Sequence, residues 1–180
     1  MRRAGPARPC VAARLDRRSR LASKQRREGD EPMRWTCRSF EELTGREVYE
    51  VLALRQRVFV VEQACAFQEA DGRDPQARHL MGWGGGRLVA CARLLPAAGS
   101  EPRSIGRVAT APEARGAGLG KALMGEALRI LLAEDPAAPI ALGAQAHLAA
   151  PFYEPLGFRI VGEPYEEDGI PHVHMRLDPA

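Results

Sequence analysis

Residues 104–132 constrain the fold most strongly, because a strand pattern, a glycine-rich loop and a helix pattern follow one another there. A short apolar run at residues 105–110 precedes Pro112, and the glycines lie within residues 115–120. Apolar side chains then recur at helical spacing and form one stripe. The members of this stripe are Leu119, Leu123, Ala127, Leu128 and Leu131. The glycines therefore fall between a strand and the first turn of a helix.

This position predicts a site for phosphate. The first N–H groups of a helix have no intrahelical partner, and the helix dipole makes that end positive. Glycine lets a ligand approach the backbone and accepts positive φ angles. Arg115 and Lys121 add full positive charges. The loop is thus expected to bind phosphate, most simply a pyrophosphate, although a glycine turn without a ligand is the alternative.

Two common nucleotide motifs do not fit this loop. A Walker A loop needs glycine at position 115 and a hydroxyl residue at position 122, but the chain has Arg115 and Ala122. The G-x-G-x-x-G dinucleotide fingerprint fails at its last position in both registers, where Lys121 and Leu123 stand. The expected phosphate ligand therefore belongs to another class of cofactor.

The charge of the chain is divided unevenly. Residues 1–32 contain ten Lys and Arg against four Asp and Glu, whereas residues 33–180 contain sixteen against nineteen. The net charge of +3 therefore comes from the N-terminal extension, and the remaining chain is acidic. No nucleic-acid partner is predicted for a domain of that charge. Since residues 1–32 lack apolar periodicity, they are predicted to be a disordered basic extension preceding a single domain at 33–180.

Three interpretations of the extension are open. It has the Arg-rich character of a transit peptide, and it could also be an arm that binds nucleic acid. We favour a third, an upstream start codon with the natural chain beginning at Met33. Only Lys24 and Lys121 among the 26 basic residues are lysine, which suggests a GC-rich coding sequence where long open frames arise by chance.

The cysteines and the hydropathy pattern predict a cytoplasmic protein. No apolar run is long enough to cross a membrane, so no membrane partner is expected. The four cysteines have no C-x-x-C spacing, and scattered thiols fit a reducing compartment. They are Cys10, Cys37, Cys65 and Cys91.

The order of the predicted elements is that of an α/β protein with a mixed sheet. A helix between two of the strands allows them to be parallel neighbours with a right-handed crossover. Hairpin signals such as the triple glycine at 84–86 argue against an all-parallel sheet. The predicted strands are 34–38, 79–83, 87–95, 105–110, 140–145, 158–163 and 172–177.

Three helices are predicted between these strands. Thr44 and Glu47 have the spacing of a capping box, which indicates a helix start. The helix after the glycine loop is expected to end near Ala133. A short helix is predicted at residues 149–156, with Gly157 as its C-cap.

The R-x-x-G-x-G spacing at Arg115, Gly118 and Gly120 resembles the cofactor loop of the GNAT acyltransferases. The strand ending at Gln145 and the aromatic pair at 152–153 stand in the same order as in that family, and the resemblance covers residues 34–178. Longer strings are similar to the ElaA-like branch of the superfamily. These strings are LRQ at 54–56, VFVVEQ at 58–63, RVA at 107–109, AQAH at 144–147 and EDGIPH at 167–172.

The resemblance implies a GNAT fold, in which two parallel strands splay apart and the first carries a β-bulge. It also implies direct transfer of an acetyl group from acetyl-CoA to a primary amine of a small molecule or peptide, without a metal. A catalytically silent acyl-CoA-binding module on the same fold is the alternative, since fold alone does not establish function. The oligomeric state is left open, with a homodimer among the candidates.

The resemblance also implies which residues contact the cofactor. Backbone groups in the first splayed strand would face the pantetheine arm and the thioester, while the glycine loop would take the pyrophosphate. Gln145 and Tyr153 would lie beside the cofactor as well. The backbone positions are Arg107, Val108 and Ala109, and the loop positions are Arg115, Gly116, Ala117, Gly118, Leu119, Gly120 and Lys121.

Three residues are candidates for proton transfer. Tyr153 matches the tyrosine that many GNAT enzymes place beside the CoA sulfur, where a phenol can protonate the departing thiolate. Glu62 follows four apolar residues, so burial is expected to raise its pKa and suit it as a base, unless it pairs with an arginine such as Arg55. His147 is a second candidate base, or else a helix cap.

Several other polar residues have less specific patterns. Glu69 and Asp71 are expected to bind the acceptor or to be solvated, and residues 166–171 are expected to form a loop over the mouth of the site. His172 and His174 share one strand face. With His79 or His147 they could bind zinc, but hydrogen-bonded strand histidines are the preferred interpretation.

Overall fold

The computed structural model describes residues 32–178, which form a seven-stranded sheet with helices on both faces. The predicted extension at 1–32 therefore lies outside the described residues except for Pro32. The strands are β1 Arg34–Ser39, β2 Arg78–Gly84, β3 Arg87–Leu95, β4 Arg103–Thr110, β5 Ile140–Gln145, β6 Arg159–Glu167 and β7 Ile170–Leu177.

The sheet has the order β1-β2-β3-β4-β5-β7-β6, and every described strand pair is antiparallel except β4 with β5. This confirms the predicted mixed α/β sheet with one parallel pair. The parallel pair is made possible by the helix that crosses over between β4 and β5.

Helix α1, Gly45–Arg55, begins at the predicted capping box. The Thr44 side chain accepts a hydrogen bond from the Glu47 N–H at 3.2 Å, and the Glu47 carboxylate accepts one from the Thr44 N–H at 2.9 Å. The helix then widens into a π-helical segment, Gln56–Glu62. Helix α2, Leu119–Glu134, follows the glycine loop as expected. The last helical region comprises Ala146–Leu148, Ala149–Tyr153 and Glu154–Leu156, and it ends at Gly157 with a φ of 93°.

The core consists of two apolar layers, one on each face of the sheet. Leu123 and Met124 of α2 are fully buried against one face, together with Ile105 of β4. Val51 and Leu54 of α1 pack on the other face. The two helices thus cover opposite faces, and β4 lies at the centre of the sheet between them.

The chain between β6 and β7 differs from the prediction. The expected loop at 166–171 is wrong, because both strands continue further and only Asp168 and Gly169 form the turn. Asp-Gly is a strong signal for a two-residue hairpin, and both residues have the positive φ angles, 52° and 77°, that such a turn requires. The turn nevertheless lies beside the site, since Asp168 lines the groove described below.

Arg103 fixes the start of β4 to the end of α2. Its guanidinium donates hydrogen bonds to the backbone carbonyls of Leu131, Asp135 and Ala138, and its side chain is buried. The Asp135 and Ala138 carbonyls lie beyond the last turn of the helix, whereas the Leu131 carbonyl accepts from the Asp135 N–H as well as from Arg103. Among residues 32–178, no helix is both long and apolar enough to cross a bilayer.

Candidate active site

The parallel strands β4 and β5 separate soon after they meet. Their pairing consists of Arg103 with Ile140 and Ser104 with Ala141. Beyond Ser104, β4 stays paired with β3 on its other side, and β5 stays paired with β7. The splay that the resemblance implied is therefore present, and it leaves backbone groups of β4 and β5 facing each other across a gap.

The predicted β-bulge is also present in β4. Arg93 of β3 pairs with Gly106, and Cys91 pairs with Ala109, so two residues of β4 stand opposite one residue of β3. The two residues are Arg107 and Val108, one more than regular pairing would place there. Arg107 has a φ of 51°, which is unusual for a non-glycine residue within a strand.

A groove of about 1260 Å³ follows the splay. Its walls come from β4, β5, the π-helical segment with the loop that follows it, the helical region after β5, and the β6–β7 hairpin. Among the predicted site residues, the groove brings together Glu62, Arg107, Val108, Ala109, Arg115, Gly120, Gln145, His147 and Tyr153. These predicted residues therefore share one concave surface, whereas the other predicted loop positions, Gly116, Ala117, Gly118, Leu119 and Lys121, do not line it.

The glycine loop at one end of the groove is open to solvent. Gly116 and Gly118 have φ angles of 87° and 80°, and no heavy atom lies within 4 Å of a Cβ placed at either position. At Gly120 a Cβ would come within 3.3 Å of the Phe152 ring. Lys121 is exposed on the first turn of α2. The start of the helix is thus not filled by the protein's own side chains, as a site for an anion requires.

Of the two environments expected for Glu62, burial is wrong and pairing with an arginine is present, although the arginine is Arg115. Glu62 is exposed rather than buried, and a hydrogen bond from Arg115 holds the pKa of its carboxyl group below the ordinary value. Arg115 Nη1 and Nη2 lie 2.6 and 2.9 Å from the two Glu62 carboxylate oxygens, and Arg115 also donates to the Thr110 carbonyl. The expected partner Arg55 is bound elsewhere. Glu62 and Arg115 therefore form a bidentate pair at the rim of the groove.

Tyr153 is 7% exposed and lines the groove. Its ring packs edge-on against Phe152 and Phe158, with centroid distances of 4.8 and 6.2 Å. Burial raises the pKa of its phenol to about 12. The hydroxyl therefore keeps its proton at neutral and moderately alkaline pH, which is the state of a proton donor. The packing alternative and the catalytic role are compatible, because the rings fix the orientation of the phenol.

Two further predicted residues lie along the β5 end of the groove. Gln145 donates a hydrogen bond from its side-chain amide to Gln63 Oε1 at 3.1 Å, which ties β5 to the end of the π-helical segment. His147 is exposed in the groove and follows β5 directly. It remains available as a second candidate base.

Sequence reasoning missed a buried network of charges beneath the bulge. Arg55 is 1% exposed and binds Glu69 at 2.6 Å and Asp74 at 2.7 Å. Arg93, 3% exposed, binds both carboxylate oxygens of Asp71 at 2.6 and 2.7 Å. The expectation that Glu69 is solvated is thus wrong, because its carboxylate is buried against arginines, whereas Asp71 is exposed as well as paired.

The network extends to the bulge itself. Arg107 Nε donates to Glu69 Oε1 at 2.8 Å, and its Nη2 donates to Asp71 at 3.2 Å. The second oxygen of Glu69 is buried and has no hydrogen-bond partner within the described residues. His79, which was considered as a zinc ligand, lies on the far side of the network with Nε2 3.1 Å from the Asp74 carbonyl oxygen.

His172 and His174 project from the same face of β7 into the groove. The Tyr165 ring stacks on His174 at 4.3 Å and lies 5.7 Å from His172. Within residues 32–178, no group of three or more His, Cys, Asp or Glu side chains is arranged to hold a metal ion. The two histidines therefore form an aromatic wall together with Tyr165.

A splayed parallel pair, a bulge and an open glycine loop at a helix start define a GNAT acyltransferase fold, and sequence comparison agrees. The profile of the acetyltransferase (GNAT) domain matches residues 43–179. The chain belongs to the GNAT acetyltransferase family.

Its relatives place it in the ElaA-like branch of that family. Protein ElaA of Escherichia coli is 44% identical over 144 residues, covering 78% of this chain and 94% of ElaA. The crystal structure of E. coli ElaA superposes with a TM-score of 0.77, covering 82% of this chain and all of that one. An acyl-CoA N-acyltransferase from Pseudomonas aeruginosa is 46% identical, with the same TM-score and coverage of 81% and 99%.

The charged network gives stability a measurable pH dependence. Partial burial alone would raise the pKa of Asp71, but hydrogen bonds from Arg93 outweigh it and hold the pKa well below its usual range. A carboxylate with a lowered folded-state pKa stabilises the fold above its unfolded pKa near 3.8, and this stabilisation is lost as the pH falls through the folded value.

We therefore expect Asp71→Asn to lower the free energy of unfolding at pH 7 by about 2 kcal/mol, because it weakens charged hydrogen bonds to a buried arginine. Its stability should fall less steeply than that of the wild type between pH 5 and pH 2. Urea denaturation at each pH measures both effects. Glu113→Gln, which removes an exposed pair with Arg57, is the control and should change little. Parallel pH curves for wild type and Asp71→Asn would contradict the assignment.

Proposed function

We propose that this protein transfers an acetyl group from acetyl-CoA directly to a primary amine of a small molecule or peptide. The single observation that carries the proposal is the open groove between β4 and β5, with the exposed glycine start of α2 at its rim. The P. aeruginosa relative is an acyl-CoA N-acyltransferase, which supports the same type of reaction.

The glycine loop would bind the pyrophosphate of CoA. Open space at Gly116 and Gly118 leaves the backbone N–H groups within reach of an anion, and Lys121 adds a positive charge beside them. The helix dipole of the 16-residue helix α2 favours a negative ligand at this end. The pantetheine arm would then follow the unpaired edges of β4 and β5.

Val108 and its neighbours would act on the thioester through their backbone. The bulge breaks the regular pairing of β4 with β3, and the splay removes pairing with β5, so main-chain donors face the groove. A fixed N–H group stabilises the negative charge that develops on the thioester oxygen during attack by the amine. Tyr153 would protonate the departing thiolate, since its phenol holds its proton at neutral pH and lies in the groove.

Glu62 is our first candidate for the base, and its pair with Arg115 has a consequence. Glu62, as the base, and Arg115, as a phosphate ligand, would both be needed for the reaction, and in the structure they are bound to each other. A pyrophosphate that binds Arg115 would compete with Glu62 for the same donors and release its carboxylate toward the acceptor. His147 is the alternative base, and the acidic residues Glu167 and Asp168 at the groove would favour a cationic acceptor.

The location that we propose is the cytoplasm. The described cysteines, Cys37, Cys65 and Cys91, are all free thiols, which fits a reducing compartment.

The phosphate site is tested by Gly118→Val, because a β-branched residue at a φ of 80° strains the loop and places a side chain over the N–H groups. We expect affinity for CoA, measured by isothermal titration calorimetry, to fall more than tenfold. Gly86→Val is the matched control. Gly86 also has a positive φ, 73°, with open space around it, but it lies in the β2–β3 hairpin away from the groove. If Gly118→Val binds CoA as tightly as Gly86→Val does, the glycine loop is not the phosphate site.

The reaction is tested by incubating the protein with acetyl-CoA and a panel of primary amines, and measuring the released thiol. On the amine that reacts, Tyr153→Phe should lower kcat by roughly 10²-fold with little change in CoA affinity, because only the proton donor is lost. CoA binding with no thiol release from any amine would favour the silent binding module. An unchanged kcat in Tyr153→Phe would assign the tyrosine to packing.

Competition between Glu62 and the cofactor predicts opposite effects of one substitution. Glu62→Gln should raise CoA affinity by about two- to fivefold, since the exposed pair that it removes is worth roughly 0.2–1 kcal/mol. It should also lower kcat if Glu62 is the base. Glu113→Gln removes the same charge from a neighbouring pair without freeing Arg115, and both parameters should stay near wild type. Weaker CoA binding in Glu62→Gln would contradict the proposal that Glu62 and the pyrophosphate compete for Arg115.

A further inference from the structure

The bulge in β4 depends on a residue in an unfavourable conformation. Among the described residues, Ala64, Arg107 and Asp168 are the non-glycine residues with positive φ, and Arg107 alone of these three lies within a strand. A left-handed conformation is strained for any residue with a Cβ atom and persists only where the surroundings impose it. Something must therefore hold Arg107 in place.

The hydrogen-bond register shows what the strain maintains. Four residues, Gly106–Ala109, stand opposite three, Cys91–Arg93, so an extended Arg107 would make one flank of β4 slip by one position against β3. A slip of one position turns every side chain beyond it to the opposite face. The Val108 backbone would no longer face the groove in its present position.

The side chain of Arg107 supplies three contacts that oppose this relaxation. Its Nε binds Glu69 at 2.8 Å, its Nη2 binds Asp71 at 3.2 Å, and its guanidinium lies 5.7 Å from the centroid of the Phe67 ring. All three partners belong to the loop that follows the π-helical segment. The backbone of the bulge is thus tied through one side chain to a single stretch of chain.

The anchoring carboxylates are themselves fixed from the core. Arg55 of α1 binds the same Glu69 oxygen at 2.6 Å, and Arg93 of β3 binds Asp71 through two hydrogen bonds. Arg55 and Arg93 are almost completely buried. Because the carboxylates cannot move without breaking these buried pairs, the position of Arg107 is over-determined.

We propose that Glu69 and Asp71 are positioning residues, which hold Arg107 in its strained conformation and thereby keep the β4 bulge and the cofactor groove open. The inference rests on the proposed function only for the identity of the cofactor. The carboxylates act through Arg107 and do not contact the substrate.

This role predicts an unusual order of CoA affinity for two substitutions at position 107. Arg107→Ala removes the anchor but keeps a Cβ atom, so the strain drives residue 107 toward an extended conformation. Arg107→Gly also removes the anchor, but glycine adopts positive φ without strain and can retain the bulge. The glycine variant should therefore be the better binder, although glycine is normally the more disruptive residue in a strand.

The test is CoA affinity by isothermal titration calorimetry, with thermal melts as a check of folding. We expect both variants to bind CoA more weakly than wild type, and Arg107→Ala to bind it several-fold more weakly than Arg107→Gly. Crystal structures of the unliganded variants should show the bulge kept at residues 107–108 with glycine, and a displaced bulge or a slipped register of β4 with alanine. An alanine variant that binds as well as or better than the glycine variant would overturn the inference.

A double-mutant cycle tests whether Glu69 acts through Arg107. Glu69→Gln should weaken CoA binding in the wild type but cause little further loss in the Arg107→Gly background, where no anchor is left to disturb. If Glu69→Gln does not fold, the more exposed Asp71→Asn takes its place. Equal losses in both backgrounds would overturn the role of the carboxylates. Wild-type protein that fails to bind CoA would instead refute the proposed function. The unliganded structures would still show whether each variant keeps the bulge.

Discussion

The site depends on one constraint, which is that β4 and β5 stop pairing after Ser104 and Ala141. Each strand then has a satisfied neighbour on one side only, so the backbone groups on the other sides are available for a ligand. A regular parallel sheet would have used those groups for its own hydrogen bonds. The groove, its position between two covered faces and its main-chain donors all follow from this early separation.

The buried arginines explain how a small domain maintains that separation. Arg55 and Arg93 would be costly to bury alone, and each is compensated by carboxylates from the loop after the π-helical segment. The resulting network joins α1, the loop, β3 and the bulge. A segment without regular secondary structure is thereby fixed in place, and it forms one wall of the groove.

Local patterns made much of this structure predictable, but partner choices between distant residues did not. The capping box at Thr44, the helical stripe after Gly118 and the triple-glycine hairpin depend on neighbours in sequence, and the structure has them. The charged network joins residues 14 to 38 positions apart, which no spacing rule pairs. Burial of Glu62 was predicted wrongly because the π-helical segment changes the angular spacing of side chains, so an apolar run no longer predicts what lies beside the next residue.

Arg103 stands where the two halves of the sheet meet. Strands β1 to β4 and strands β5 to β7 share only two residue pairs, and Arg103 belongs to one of them while it also binds the end of α2. Arg103 thus lies at the closed end of the groove, where β4 and β5 still pair. Because the two strands diverge from this end, a given change in the angle between them alters the width of the groove most near the glycine loop.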